Sequence, residues 1–267
     1  MIGQARVGWG LRLWAVLVGV VLVAPTVIVI PLSLTSQRSF RFPPKGWSLQ
    51  WYSNIWQNPD WRDAVVASMR IAVLVTIVAT LAGTAAALGL HRSRGRVARL
   101  STGLLLAPMI VPGIVAAVAI YGVFLHWGLT GTWSGFVLAH VVLAIPFVVV
   151  AVTASLQGTD ATQLRAAASL GASPLHAFRL VTLPAIRPGV ASGALFAFVT
   201  SFDEVVAAIF LQSPEIRTLP VQMFVSVTNQ VDPTIAAVAT LVTLVTTLLV
   251  VVPLTLRMRR DERPSKP

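Results

Sequence analysis

Six stretches of the chain are apolar, carry at most two charges each, and are long enough to cross a bilayer. A hydrocarbon core of ~30 Å needs about 20 helical residues at ~1.5 Å each. The six are Leu13–Leu34, Ala64–Leu90, Leu100–Leu125, Trp133–Leu156, Gly189–Leu211 and Pro233–Leu256. They predict an all-α, polytopic membrane bundle with six transmembrane helices. The first run has 22 residues, longer than the ~7–15 of a signal-peptide core, and no small-residue cleavage site follows it. It is expected to stay as an anchor. The longest polar interval, Thr35 to Asp63, holds 29 residues, too few for a core of its own. Residues 1–267 therefore read as one transmembrane domain.

One interval, residues 157–188, is neither a span nor a slack linker. It contains LRAAASLGASPLHAFRLVTLPAIRPG, Leu164 to Gly189, and its punctuation predicts two short helices. Thr159 or Asp160 can cap a helix that runs to Leu170, with Gly171 in the left-handed position that ends it. Ser173 and Pro174 supply a second cap and a first-turn proline. That second helix is expected to run through Phe178 and stop before Pro184. Leu164, Ala167 and Leu170 share one face, and Leu175 and Phe178 another. Ala166, Ala167 and Ala168 leave a low surface that suits a protein groove. An interfacial amphipathic helix carries large apolar residues and several cations, which this alanine-rich segment with Arg165 does not. The residues alone leave docking, headgroup anchoring and plain connection all open.

Composition supports a lipid environment. The chain is 56% hydrophobic and 11% charged, with a mean hydropathy of +0.81, whereas soluble domains carry about a quarter charged residues. The net charge of +11 sorts by side. With both termini inside, 14 of the 20 Lys and Arg fall on inner segments, notably Arg92, Arg94, Arg96, Arg99 and the run from Arg257 to Lys266. Only Arg38, Arg41, Lys45, Arg62 and Arg217 fall outside. This asymmetry predicts an N-in, C-in topology and puts the helix pair in the cytoplasm. Basic residues beside apolar spans meet a membrane surface, so nucleic acid is not an expected partner.

Chemistry is sparse. The chain has no cysteine, hence no disulfide and no thiolate metal site. Its only lysines, Lys45 and Lys266, stand outside any phosphate-binding loop. His91, His126, His140 and His176 lack metal-ligand spacing, and no nucleophile elbow appears. Neither a catalytic set nor a metal site is expected.

Asp203 and Glu204 are the costly residues, at ~2.5–3.5 kcal/mol each near a bilayer centre. Read on one continuous helix, Asp203 lies ~12 Å from the outer end, and the two carboxylates point about 100° apart. One could line a path for a cation while the other holds a neighbouring helix, for instance through Arg70. The alternative is that both are structural. Pro108, Pro112 and Gly113 interrupt the third span, either as a pore-lining bend or as a packed kink. Trp47, Trp51, Trp56 and Trp61 read as interfacial anchors.

RAAASLGASPLHAFRLVTLP resembles the cytoplasmic EAA loop of permease subunits of binding-protein-dependent ABC importers. That motif runs Glu-Ala-Ala, three residues, Gly, then about a dozen residues to Leu-Pro. Ala166, Ala167, Gly171, Leu183 and Pro184 match it, and Arg165 replaces the glutamate. WSLQWYSNIWQNPDWRDAVVASMRIA (Trp47–Ala72) resembles the external elbow and second span of such permeases, and APMIVPGIVAAVAI (Ala107–Ile120) their Pro-interrupted third span. TSFDEVVAAIFL (Thr200–Leu211) with RTLPVQMF (Arg217–Phe224) is similar to the spermidine/putrescine branch.

The resemblance implies an inner-membrane, multi-pass transport subunit rather than an enzyme. It implies that the helix pair is a coupling helix seated on an ATPase subunit, with Arg165, Ala166, Ala167, Gly171, Ser173, Leu183 and Pro184 at the contact. It further implies two ATPase subunits that bind the ATP, a second permease chain, homologous or identical, and an external solute-binding protein. No cofactor is expected in this chain. A polyamine is the preferred cargo, with an opine, an amino-acid-like solute or a metal complex as alternatives. A secondary transporter is expected to show repeated halves with paired broken helices, and no internal repeat is visible.

Overall fold

A computed structural model describes residues 8–159, 161–229 and 232–261. Among them the chain is helical, with one isolated bridge between Thr35 and Trp47. The chain divides into two compact units, one formed by the segments up to Arg62 and from Met223, the other by Asp63–Gln222.

In the first unit α1 (Trp9–Ser33) packs against α12 (Thr234–Asp261), and α2 (Gln50–Gln57) packs on α12 as well. The polar interval is pinned by its tryptophans. Trp51 is buried, and its indole N–H donates to the Thr35 carbonyl at 2.6 Å. Trp61, 1% exposed, donates to the Asp232 carboxylate at 2.9 Å. Trp47 and Trp56 are exposed, whereas Trp51 and Trp61 are buried and so do not fit the expected interfacial anchors. An indole buried with its N–H satisfied is a packing element. Asn54 reaches Thr234 at 2.8 Å, so α2 is tied to the start of α12.

The second unit is built on α6 (Trp133–Gln157) against α9 (Leu183–Asp203). Small residues let the backbones close. A Cβ added at Gly189 would sit 2.7 Å from the Ala151 carbonyl oxygen, and one at Gly193 would sit 3.1 Å from the Val148 Cα. Gly83, on α3 (Pro59–Arg92), meets the same Val148 at 2.7 Å. The buried stripe Ala72, Val75, Ala79 and Ala87 continues that face at helical spacing.

Four single helices are long and apolar enough to cross a membrane: α1, α3, α6 and the helix Pro174–Asp203. A fifth crossing is possible as a bent pair, α4 (Gly95–Ile110) and α5 (Gly113–His126), which meet at 108°. The expected third span is thus two helices, and its interruption exceeds an ordinary kink. Val111 and Pro112 are extended, with ψ 131° and 133°, as the residue before a proline prefers. The expected sixth span falls in α12, whose described apolar stretch is Thr234–Leu249.

Candidate functional site

The expected fifth span is not continuous. α9 ends at Asp203, Glu204 is extended, and α10 (Val206–Leu211) starts afresh. The two carboxylates therefore sit at a helix break, and the 100° geometry of a continuous helix does not apply to them. Glu204 is committed to the backbone: its Oε1 accepts the Ala207 N–H at 2.8 Å, capping α10. A carboxylate there also meets the positive end of α10. Asp203 is exposed and has no partner among the described residues. Arg70, the expected partner, is exposed and makes no ion pair with either carboxylate among the described residues.

The break is held from α6 and from the loop before it. His140, 1% exposed, places Nδ1 at 3.1 Å from the Ser201 carbonyl oxygen and 3.0 Å from the Ser201 hydroxyl. In an unbroken helix that carbonyl would accept the Val205 N–H; at the break it is free of that bond, and the His140 Nδ1 lies within hydrogen-bond reach of it. Beyond the break, the Gly131 N–H donates to the Leu211 carbonyl at 3.0 Å, and Tyr121 on α5 lies 5.8 Å from Phe210, ring to ring. His140, Ser201 and Gly131 were not singled out in the sequence. The available signal was a histidine inside an apolar run, which is expected to face a polar partner across helices.

The interval between α6 and α9 forms a tight corner. α7 (Ala161–Ser169) ends in paired bonds, Ala172 N–H to the Ala167 carbonyl at 3.1 Å and Gly171 N–H to Ala168 at 3.0 Å. This is the Schellman pattern, and Gly171 takes φ +81° to make it. The Ser173 hydroxyl accepts the His176 N–H at 3.3 Å, and Pro174 opens α8 (Pro174–Ala177). The Thr159 hydroxyl bonds back to Leu156 and so belongs to the end of α6; the alternative cap, Asp160, lies outside the described residues.

The second helix does not stop before Pro184. It continues through a π-turn, Phe178–Thr182, straight into α9, making one helix of 30 residues from Pro174 to Asp203. Proline has no N–H to offer the preceding turn, and a wider turn absorbs that loss without ending the helix. In it the Leu183 N–H reaches the Phe178 carbonyl, five residues back. Leu183 and Pro184 thus open α9, while Arg165, Ala166, Gly171 and Ser173 are exposed at the corner and Ala167 is half-buried. Leu170, 88% exposed, and Leu175 project from the same corner.

A membrane bundle with an exposed inter-span helical corner and a span broken at an acidic pair fits a transport subunit, and sequence comparison defines which. Residues 79–259 match the binding-protein-dependent transport system inner membrane component family. The chain belongs to that family and is a transport permease subunit of a bacterial ABC importer. The spermidine/putrescine permease PotC of Haemophilus influenzae is 34% identical over 85% of this chain and 88% of its own length. The putrescine permease PotI of Escherichia coli K12 is 34% identical over 74% of this chain and 73% of its own. In fold, the chain is similar to a solved bacterial ABC transporter involved in alginate import. The TM-score is 0.64 at 16% identity, covering 95% of this chain and 99% of that one.

Proposed function

We propose that this permease passes a small organic polycation of the polyamine class across the inner membrane, and that Asp203 is the group its ammonium meets. The observation that carries this reading is the exposed Asp203 carboxylate at the end of α9, which has no partner among the described residues. A charge at that place is too costly to leave against lipid, so it faces a polar path or a partner chain. The C-terminal end of a helix is the negative end of its dipole, and its free carbonyls add acceptors. Broken helices serve cation sites in transporters in just this way. The relatives PotC and PotI, by their names permeases for spermidine and putrescine or for putrescine alone, agree with a cationic cargo.

In this reading the bundle has six spans with both termini in the cytoplasm. A solute-binding protein outside delivers cargo, a second permease chain closes the other half of the path, and two ATPase subunits inside bind ATP. The corner formed by Arg165, Ala166, Ala167, Gly171 and Ser173 seats on an ATPase, and Leu183 and Pro184 pass its displacement into α9.

The test is uptake of radiolabelled spermidine by the full complex in proteoliposomes. Asp203→Asn removes the charge and keeps the size, and is expected to lower uptake at least about tenfold, a loss of ~1.4 kcal/mol, with assembly unchanged. Wild-type uptake by that variant removes Asp203 from the path. A receptor that binds only an uncharged solute overturns the polyamine cargo while leaving the importer class intact.

A further inference from the structure

A histidine costs more in a packed core than a hydrocarbon side chain does. His140 shares α6 with buried Phe136, Ala139 and Ala144, and the Phe136 ring lies edge-on to it at 6.0 Å. Its Nε2 is buried without a hydrogen-bond partner among the described residues. A leucine would fill the place and leave no polar atom unsatisfied. What the histidine adds is Nδ1, which stands 3.1 Å from the Ser201 carbonyl oxygen and 3.0 Å from the Ser201 hydroxyl. Carrying the proton, Nδ1 donates to the carbonyl; without it, Nδ1 accepts from the hydroxyl. In either tautomer α6 is tied to Ser201, two residues before Asp203.

The break depends on which groups take two backbone partners. A continuous helix would give the Val205 N–H to the Ser201 carbonyl and the Ala207 N–H to the Asp203 carbonyl. Here the Ala207 N–H goes to Glu204 Oε1, and the Ser201 carbonyl faces His140. Residues 201–206, Ser-Phe-Asp-Glu-Val-Val, hold neither Gly nor Pro, so the continuous helix is a competing conformation that nothing local forbids. Past the break, the Gly131 N–H grips the Leu211 carbonyl at 3.0 Å. The chain on both sides of Asp203 is therefore fastened to one stretch, from Gly131 to His140.

We infer that His140 is a positioning residue: through Ser201 it favours the broken form of this helix and so sets where the Asp203 side chain stands. Its weight in transport rests on the proposed contact of Asp203 with cargo, whereas its hold on the break does not.

The chain has no cysteine, so Asp203→Cys gives this subunit a single thiol at the break. In the assembled importer in proteoliposomes, a water-soluble cationic methanethiosulfonate labels that thiol at a rate set by its access to water. Mass spectrometry of this subunit reads the rate. Adding His140→Leu, which removes Nδ1 and keeps an apolar side chain in the core, is expected to lower it about fivefold, the scale of one hydrogen bond. His140→Asn, whose amide stands about where Nδ1 stood, is expected to keep the rate within about twofold of the parent. Spermidine uptake with Asp203 in place is expected to fall in the leucine variant and to be rescued by the asparagine. An unchanged labelling rate with His140→Leu overturns the inference, as does an equal loss with His140→Asn, since packing and not Nδ1 would then be at work. Where the leucine complex does not assemble, His140→Gln keeps an amide but carries it out to the Nε2 position, and a parental rate there overturns the inference too. Labelling reads position and not transport, so it decides the matter even where Asp203→Asn takes up spermidine normally, the result that removes Asp203 from the path.

Discussion

Asp203 and Glu204 are neighbours in sequence and opposite in circumstance. Glu204 spends its charge on the Ala207 N–H, and Asp203 spends its charge on nothing within the described chain. The two therefore respond differently to loss of charge. Glu204→Gln keeps an oxygen for the Ala207 N–H and is expected to leave thermal stability of the purified complex within ~0.5 kcal/mol of wild type. Glu204→Leu removes the cap and is expected to cost about 1 kcal/mol, the usual value of a helix cap, read as a fall in melting temperature. Equal stability of the two would mean that the cap holds nothing. The cost of the pair was legible in the sequence, because charge in an apolar run is conspicuous. The division of roles was not. Residues 204–206 contain neither Gly nor Pro, so nothing local announces a break. Its partner lies on α6, where His140 Nδ1 stands 3.1 Å from the Ser201 carbonyl oxygen that the break exposes.

At the scale of elements, punctuation was readable and persistence was not. Gly171 at φ +81° and the Ser173 cap stand where the sequence placed them, since caps depend on two or three adjacent residues. The run through Pro184 depends on the register of a π-turn, which no residue type encodes alone. Packing of α6 on α9 likewise rests on glycines whose purpose shows only across helices. Gly189 has the Ala151 carbonyl oxygen and the Ser155 Cβ both 2.7 Å from where a side chain would begin. Gly189→Val is therefore expected to push the helices apart and cost roughly 1–3 kcal/mol, the range for overpacking. Gly19→Ala, on α1 with nothing within 4 Å, is the matched control. Fluorescence-detected gel filtration after heating separates them: a Gly189→Val complex as heat-resistant as the control would contradict the close approach.

Across the whole molecule, hydropathy sufficed for a membrane-spanning helical bundle, because lipid imposes its own length rule on any spanning chain. The sequence suggested a coupling helix that stops before the span begins. The 30-residue helix from Pro174 to Asp203 is instead ~45 Å of continuous backbone, with the corner at one end and the acidic break at the other. A rod of that kind transmits displacement as long as its loaded end is gripped. Leu170 and Leu175 are the large apolar side chains exposed at that end, and Ala167 beside them permits close approach. Leu170→Glu puts a charge into a contact that would otherwise bury a leucine, and loses ~1.5–3 kcal/mol of burial before any repulsion. The expected result is a complex whose ATPase subunits still hydrolyse ATP while spermidine uptake falls more than about tenfold. Leu170→Met, which keeps the apolar volume, is expected to transport normally. Parallel assays of phosphate release and uptake in the same proteoliposomes check the pair, and wild-type uptake by the Leu170→Glu complex would show that force enters the bundle elsewhere.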